Sequence, residues 1–521
     1  MRHLQSHLFL CAAVAAGIGC DDEEGSYPDR PLQVSNGGGG LVVSDDVPIE
    51  CGRECQHQFR GSWEPFTLHA VPEADGVFLG WQGDCSGAGP CSIGPVQSAF
   101  VVAEFGPVVP VAAHLLSSAQ PSWAYKTTVS DGALVSVVEA QANGENAWQL
   151  VASGADGADR WRIPLSTIAG GWPSLPVLES SGSRTVLAGG FFDSFAVGAV
   201  TIGLPAARGC FFAVIDDGVV MENTLLECGS GIVEDAIWIG ETLWLTGSFS
   251  GAMTFGSVNL VSSGGLDGFV AARGAGGDWT AVSVGGPGDD VVMAIAPSTV
   301  ADRVTVLTRA PQAGLVPGLP LPAGLVLFDV SGDMSDWNLS ADLGSVAAER
   351  AELLALDSGH VVAASFTGVE GSPTAGYSDL LVARVDTSGA VLWRRNIAST
   401  GADRLGGLAL LGDQLLVAGA FMGSLDIDGH QLAASPYSPF ANLALNETND
   451  GLFVALSTST GMSSWARQVG GPGQEQVLDV ATMDDRVFVV GGMSFGSTVQ
   501  HVFPDPSTGG GAAVVEWARR P

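Results

Sequence analysis

Ile232-Val-Glu-Asp-Ala-Ile-Trp-Ile239, then Leu243-Trp-Leu-Thr-Gly-Ser-Phe249, a turn at Phe255-Gly256, Asp267-Gly-Phe-Val-Ala271 and Trp279-Thr-Ala-Val-Ser-Val284 form one self-contained unit of the sequence. Its four apolar runs are each five to eight residues long, rich in aromatic and β-branched side chains, and bounded by Gly and Asp, so they read as four short strands. The loop Gly285-Gly-Pro-Gly-Asp289-Asp290 then opens the next unit, and Gly470-Gly-Pro-Gly-Gln-Glu475 does the same further on.

Working outward, first strands of such units fall near Leu134, Leu175, Ile232, Val291, Ala351, Leu405 and Val477, mostly about 55 to 60 residues apart. Four strands at that period read as propeller blades, since a blade buries both faces only when its neighbours stack around a ring. The fold class expected is therefore all-β, a seven-bladed propeller over 107–521; an eight-bladed count or two smaller arrays remain open. Ala512 to Trp517 matches the third strand of a blade and Trp123-Ala-Tyr-Lys126 its missing fourth, so both ends of the domain are expected to complete one blade. These units resemble bacterial β-propeller repeats, in which an aspartate-led loop precedes a strand and a Val-x-Val-x-Gly strand follows. The resemblance implies architecture and carries no catalytic motif.

At the other end of the chain, Arg2, the apolar run Leu8 to Ile18 and small residues before Cys20 read as a secretory signal over 1–19. Gly17-Ile-Gly-Cys20 resembles a bacterial lipobox, which implies cleavage before Cys20, lipidation of that residue and a place in the cell envelope or at the cell surface. Residues 20–40, acidic and then Gly-rich, read as a flexible tether with a reach of roughly 25 Å. With Cys11 and Cys20 set aside, six of the eight cysteines remain, in local pairs suited to disulfides in an oxidising compartment: Cys51 with Cys55, Cys85 with Cys91, and Cys210 with Cys228. The last pair brackets a hairpin turning at Asp216-Asp-Gly218. Zinc is the weaker reading of the first four cysteines, because neither pair has two-residue spacing.

Residues 41–106 form a compact β-rich module. Cys51-Gly-Arg-Glu-Cys55, Phe59, Leu68-x-Ala70, Pro72, Phe78-x-Gly-Trp81-x-Gly-x-Cys85-x-Gly87 and Cys91 resemble the Cys-containing bacterial surface repeat related to the internalin B-repeat. That family implies a small surface module without catalytic residues. In so small a module Trp81 reads as core rather than as an exposed anchor.

Charge narrows the partners. Twenty-one basic against 55 acidic side chains give a formal charge of -34, and Lys126 is the sole lysine. Nucleic acids and anionic membrane surfaces need Lys/Arg stripes, so neither fits, and membrane attachment is expected only through the N-terminal lipid.

Candidate chemistry is sparse. Gly492-Met-Ser494-Phe-Gly496 matches a nucleophile elbow, yet equivalent stretches of other units lead into hairpins and no helix follows. Asp426-Ile-Asp428-Gly429 has the start of a calcium loop but sits where a hairpin turn is expected. The recurring acids before first strands, Asp289, Asp290, Asp403 and Glu475, have two readings: loop-fixing acceptors of backbone N–H groups, which is preferred, or a ring of carboxylates that binds cations or basic ligands. His57, His69, His114, His360, His430 and His501 show no metal-like pairing, and no cofactor motif is present. The expectation is a non-catalytic binding or scaffolding platform for an envelope glycan, peptide or protein. An enzyme acting on extracellular polysaccharide with funnel carboxylates is the alternative.

Overall fold

The computed structural model describes residues 30–519 apart from short stretches, the longer of which are 60–64, 86–90, 116–121, 166–175, 370–376, 435–448, 493–497 and 500–511. Among the described residues every regular element is a strand. The unit that opens the sequence reading is a four-stranded antiparallel meander, Ile232–Ile239, Thr242–Phe249, Asp267–Arg273 and Trp279–Val284, with a side hairpin Ala252–Phe255/Val258–Val261. The same meander recurs from Val291–Pro297, from Val346–Leu356 and from Arg404–Leu411. Ser122–Ser130 and Val177–Ser181 begin two more, joined edge to edge through the single pair Leu165/Val197.

The inner strand of each meander packs on that of the next in chain order, and Gln476–Met483 packs back on Ser122–Ser130, so the sheets close into a β-propeller ring. The core follows from this arrangement. Each apolar cluster of the ring lies between two successive sheets, as with Phe249, Phe255 and Phe269 against Phe212 and Val186, or Phe421 and Leu452 against Val361 and Leu380. A fully buried Phe in such a seam contributes about 1.5–3 kcal/mol, and every sheet shares its seams with two neighbours.

Ring closure differs from expectation. The last sheet runs Gln476–Met483, Arg486–Gly492, Ala512–Arg519, and its fourth strand is the second half of the 17-residue strand Ala99–Leu115, with Val515 opposite Ala113. Trp123-Ala-Tyr-Lys126 lies instead in the first strand of the following sheet, where Leu134 belongs to the second strand. The reason is continuity. The strand through Val101 and Phe105 does not turn at Gly106-Pro107 but runs from the N-terminal module into the ring, and its register is already spent on Ala512–Arg519. Starting the first unit at Ser122 removes its apparent shortness.

A second difference lies in the expected tether. Arg30–Asn36 is a strand, antiparallel to Glu54–Phe59 and parallel to the first half of Ala99–Leu115, because Leu32 and Val34 alternate inward and are 1% exposed. With Val42, Phe66, Leu68, Ile93 and the buried Trp81 they make the core of the N-terminal module. Disulfides Cys85–Cys91 and Cys210–Cys228 are formed, with Cα atoms 5.8 and 5.7 Å apart. The latter closes the open end of the hairpin that turns at Asp217-Gly218, both at positive φ. Cys51 is also disulfide-bonded, while the side chain of Cys55 lies outside the described residues.

Candidate functional site

Along the inner strands one irregularity repeats. The register slips between Val233 and Asp235, Val292 and Ala294, Ala348 and Arg350, Leu405 and Gly407, Val477 and Asp479, and opposite Tyr125. Each slip is a β-bulge, which re-aims the extra side chain. The extra residues Tyr125, Glu234, Met293, Glu349 and Leu478 all line two cavities between inner strands. The ring axis thus receives side chains that a regular strand would have sent into the seams.

The first cavity, about 360 Å³, is lined by the carboxylates of Glu179, Glu234, Asp235, Glu349 and Glu352 and by the cations Lys126 and Arg350. The sole lysine sits 2.9 Å from Glu352 Oε1 and 3.6 Å from Asp479 Oδ1. Arg350 Nη2 donates to the same Glu352 oxygen at 2.9 Å and to Gly406 O. Two carboxylates also tie strands together: Asp479 accepts from Thr127 N at 2.9 Å, and Asp235 from Ala236 N at 2.8 Å and Ile295 N at 2.9 Å. Gly407 makes room for this network, since a Cβ there would lie 1.9 Å from Asp479 Oδ1.

Burial dominates the ionisation. It pushes Glu179 up to about 8, with the charge of Asp235 adding to it. Glu234 goes up to about 7 against Arg309 and Arg350, and Asp235 to about 7 with Glu352 adding to it. Burial also raises Asp479 despite Lys126. For Glu352 burial acts upward, yet Lys126 and Arg350 together hold it below the usual carboxylate range. Burial likewise pulls Lys126 down, and Asp479 and Glu352 outweigh it, so the amine stays charged. The side chains of Glu179 and Glu234 form no hydrogen bond or ion pair with any described residue.

The second cavity, about 420 Å³, opens where inner strands begin and is lined by Trp123, Tyr125, Arg350, Arg404, Gln476 and neighbouring residues.

The acids singled out from sequence lie elsewhere, in loops leading into inner strands. Asp290 is 1% exposed and accepts from Gly286 N at 2.6 Å; Asp403 is fully buried and accepts from Ser399 N at 2.7 Å and Ser399 Oγ at 2.5 Å. Asp289 is exposed and accepts from Leu266 N at 3.0 Å, and Glu475 is fully buried, its N–H donating to Asn449 O at 2.9 Å. Burial pushes Asp403 up to about 7 and raises Asp290, each beside a second buried acid, Asp379 and Asp267 respectively. Asp289, Asp290 and Asp403 accept backbone N–H bonds within these loops, and none of the four acids lines either axis cavity. Asp428-Gly429 is a two-residue hairpin turn with both residues at positive φ; Asp428 accepts from Arg395 and from Ser463 N, and Asp426 from Gly429 N and Gln431. His360 is buried with Nε2 3.0 Å from Pro297 O. Among the described residues no group of three or more His, Cys, Asp and Glu is placed to hold a metal ion. Cys20, Ser494 and His501 lie outside the described residues.

Sequence reasoning missed the axis. Its available signals were the equivalent positions Glu234-Asp235 and Leu478-Asp479 in two aligned units, and a chain that keeps one lysine.

No family model matches the chain, and no curated protein does. Among solved structures the Dos1 propeller aligns over 79% of this chain and 95% of its own at 9% identity, with a TM-score of 0.41. Sqt1 from Chaetomium thermophilum aligns over 79% and 99% at 12% identity and a TM-score of 0.40. A quinohemoprotein alcohol dehydrogenase from Pseudomonas putida aligns over 79% and 76% at 9% identity and a TM-score of 0.39.

Proposed function

We propose that this chain is an exported cell-envelope protein, cleaved after residue 19 and anchored through lipid on Cys20, whose seven-bladed propeller is a non-catalytic binding platform. The N-terminal module, related to bacterial surface repeats, spaces the ring from the membrane. The observation that carries the reading is the convergence of bulged side chains from most inner strands on two adjoining axial cavities, the arrangement expected of a ligand site at the centre of a propeller. Most axial charges are already committed to other protein groups: Glu352 to Lys126 and Arg350, Asp235 and Asp479 to backbone N–H groups of adjacent strands. Such groups hold a surface in shape.

One observation favours a second reading, a polysaccharide-acting enzyme. Glu179 and Glu234, held near 8 and 7 and without protein partners, have the ionisation wanted of a general acid. The test incubates the chain from Asp21 onward with polysaccharide and protein fractions of the producing cell's envelope. Retention without new chain ends supports the platform. Turnover that scales with protein and is lost in Glu179→Gln and Glu234→Gln overturns it in favour of the enzyme.

A further inference from the structure

We propose that the cavity at the mouth of the axis binds a carboxylate-bearing sugar of the uronic-acid class, an inference that rests on the platform reading above. Its volume, about 420 Å³, is within the range of small-ligand sites. Its aromatic wall is held in place before any ligand arrives. The indole of Trp123 lies against the backbone of Gly492 so closely that a Cβ at that position would come within 1.8 Å of the ring. The ring of Tyr125 stacks on Trp148 with centroids 5.0 Å apart, and its hydroxyl donates to Glu139 Oε2 at 2.5 Å. A fixed aromatic face loses little entropy on binding, and the apolar C–H face of a pyranose suits it.

Arg350 is partly committed, through Nη2, to Glu352 and Gly406, but other polar groups around that wall are open to a ligand. Arg404 is exposed and forms no hydrogen bond or ion pair with a described side chain, and the amide of Gln476 is likewise free. Arg350 borders the cavity and has a buried Nη1 without a partner. In a chain of formal charge -34, this is a cavity where guanidinium groups outnumber the carboxylate beside them, Glu349. A planar guanidinium takes a carboxylate through two parallel bonds, and an amide both donates to and accepts from hydroxyls. In the adjoining cavity Lys126 and Arg350 Nη2 are already bonded to Glu352, so the ligand's acid group finds its open guanidinium at Arg404. A neutral sugar would leave the guanidinium groups unused, and a peptide C-terminus is taken by backbone N–H nests rather than by strand side chains such as these.

The experiment is calorimetric titration of the chain from Asp21 onward with trigalacturonate, its methyl ester and a short peptide with a free C-terminal carboxylate. The acid is expected to bind at least about tenfold more tightly than the ester, with affinity falling as salt rises. Arg404→Gln is expected to weaken binding about tenfold while leaving thermal unfolding unchanged, since the side chain is exposed. Trp123→Ala is expected to abolish binding, with circular dichroism reporting the fold. Equal binding of acid and ester, an unchanged Arg404→Gln variant, or preference for the peptide overturns the assignment. Envelope retention without uronate binding removes this inference and leaves the platform standing; loss of both removes both.

Discussion

Replacing Lys126 with Met removes the one cation that Glu352 and Asp479 share while keeping most of the apolar stem. Breaking a buried ion pair from one side costs about 3–5 kcal/mol, because the remaining charge is left uncompensated. Lys126 and Asp479 side chains are 15% and 6% exposed, but Glu352 is 24% exposed and keeps Arg350, so the lower end applies, about 3 kcal/mol at pH 8. The pH dependence separates this cause from lost packing. Glu179 and Asp235 are held up to about 8 and about 7, so near pH 5.5 they are protonated, and the axis carries less negative charge for Lys126 to offset. The loss should then shrink to about 1 kcal/mol, in the range of an ordinary partly exposed pair. Urea unfolding of both proteins at the two pH values gives the comparison. A loss that is the same at pH 5.5 and pH 8, or below about 1 kcal/mol at pH 8, refutes the assignment of Lys126 as the charge centre of the axis. Restoration of stability in Lys126→Met/Glu352→Gln would add support through coupling between contacting residues.

The parent protein should itself lose stability with rising pH, because carboxyls held above their unfolded values favour the fold most below the unfolded pKa and lose that contribution as pH passes through the folded one. With Asp403 at about 7 against 3.8 in the unfolded chain, the fall runs between about pH 4 and 8 and amounts to a few kcal/mol; a flat urea midpoint over that range would contradict it. Gly407→Ala should destabilise by more than about 2 kcal/mol by driving a methyl into Asp479 Oδ1, measured against the control Gly274→Ala, where a Cβ would meet no atom within 4 Å. Reduction of Cys210–Cys228, which closes an 18-residue separation, should cost about 3 kcal/mol without changing the strand content seen by circular dichroism. An amine-reactive ester should modify Lys126 only as the ring opens in denaturant, and mass spectrometry of the folded protein showing rapid labelling there would contradict its buried pairing.

The ring was legible because its determinants are local. Leu243-Trp-Leu245 and Leu415-Leu-Val-Ala418 are consecutive apolar runs, since each strand faces a seam on both sides, and that pattern with turn residues between runs identifies a stacked meander. Closure was misread for a physical reason. Pairing of Ala512–Arg519 with residues 108–115 has about 400 residues between its partners, and Trp123 to Lys126 offers a rival strand. Only the unbroken run of Ala99–Leu115 decides between them. The strand Arg30–Asn36 was hidden similarly, because two inward residues, Leu32 and Val34, suffice when a parallel partner is already in place.

The site was less legible than the fold because it arises from exceptions to the pattern. A bulge inserts one residue, so the side chain that reaches the axis is the one at which a regular alternation fails, and a one-residue slip is invisible when both faces of the strand are apolar. The loop acids Asp290 and Asp403 recur at equivalent places, and each accepts a backbone N–H bond within its own loop. Residues that serve a single axis need not recur: Lys126 and Arg350 each occur in one blade, and Asp479 and Gly406, which they reach, come from others. In a repeat protein, periodic polar residues therefore report how the repeat is built, and polar residues that break the period are the ones to follow to the place where the repeats meet.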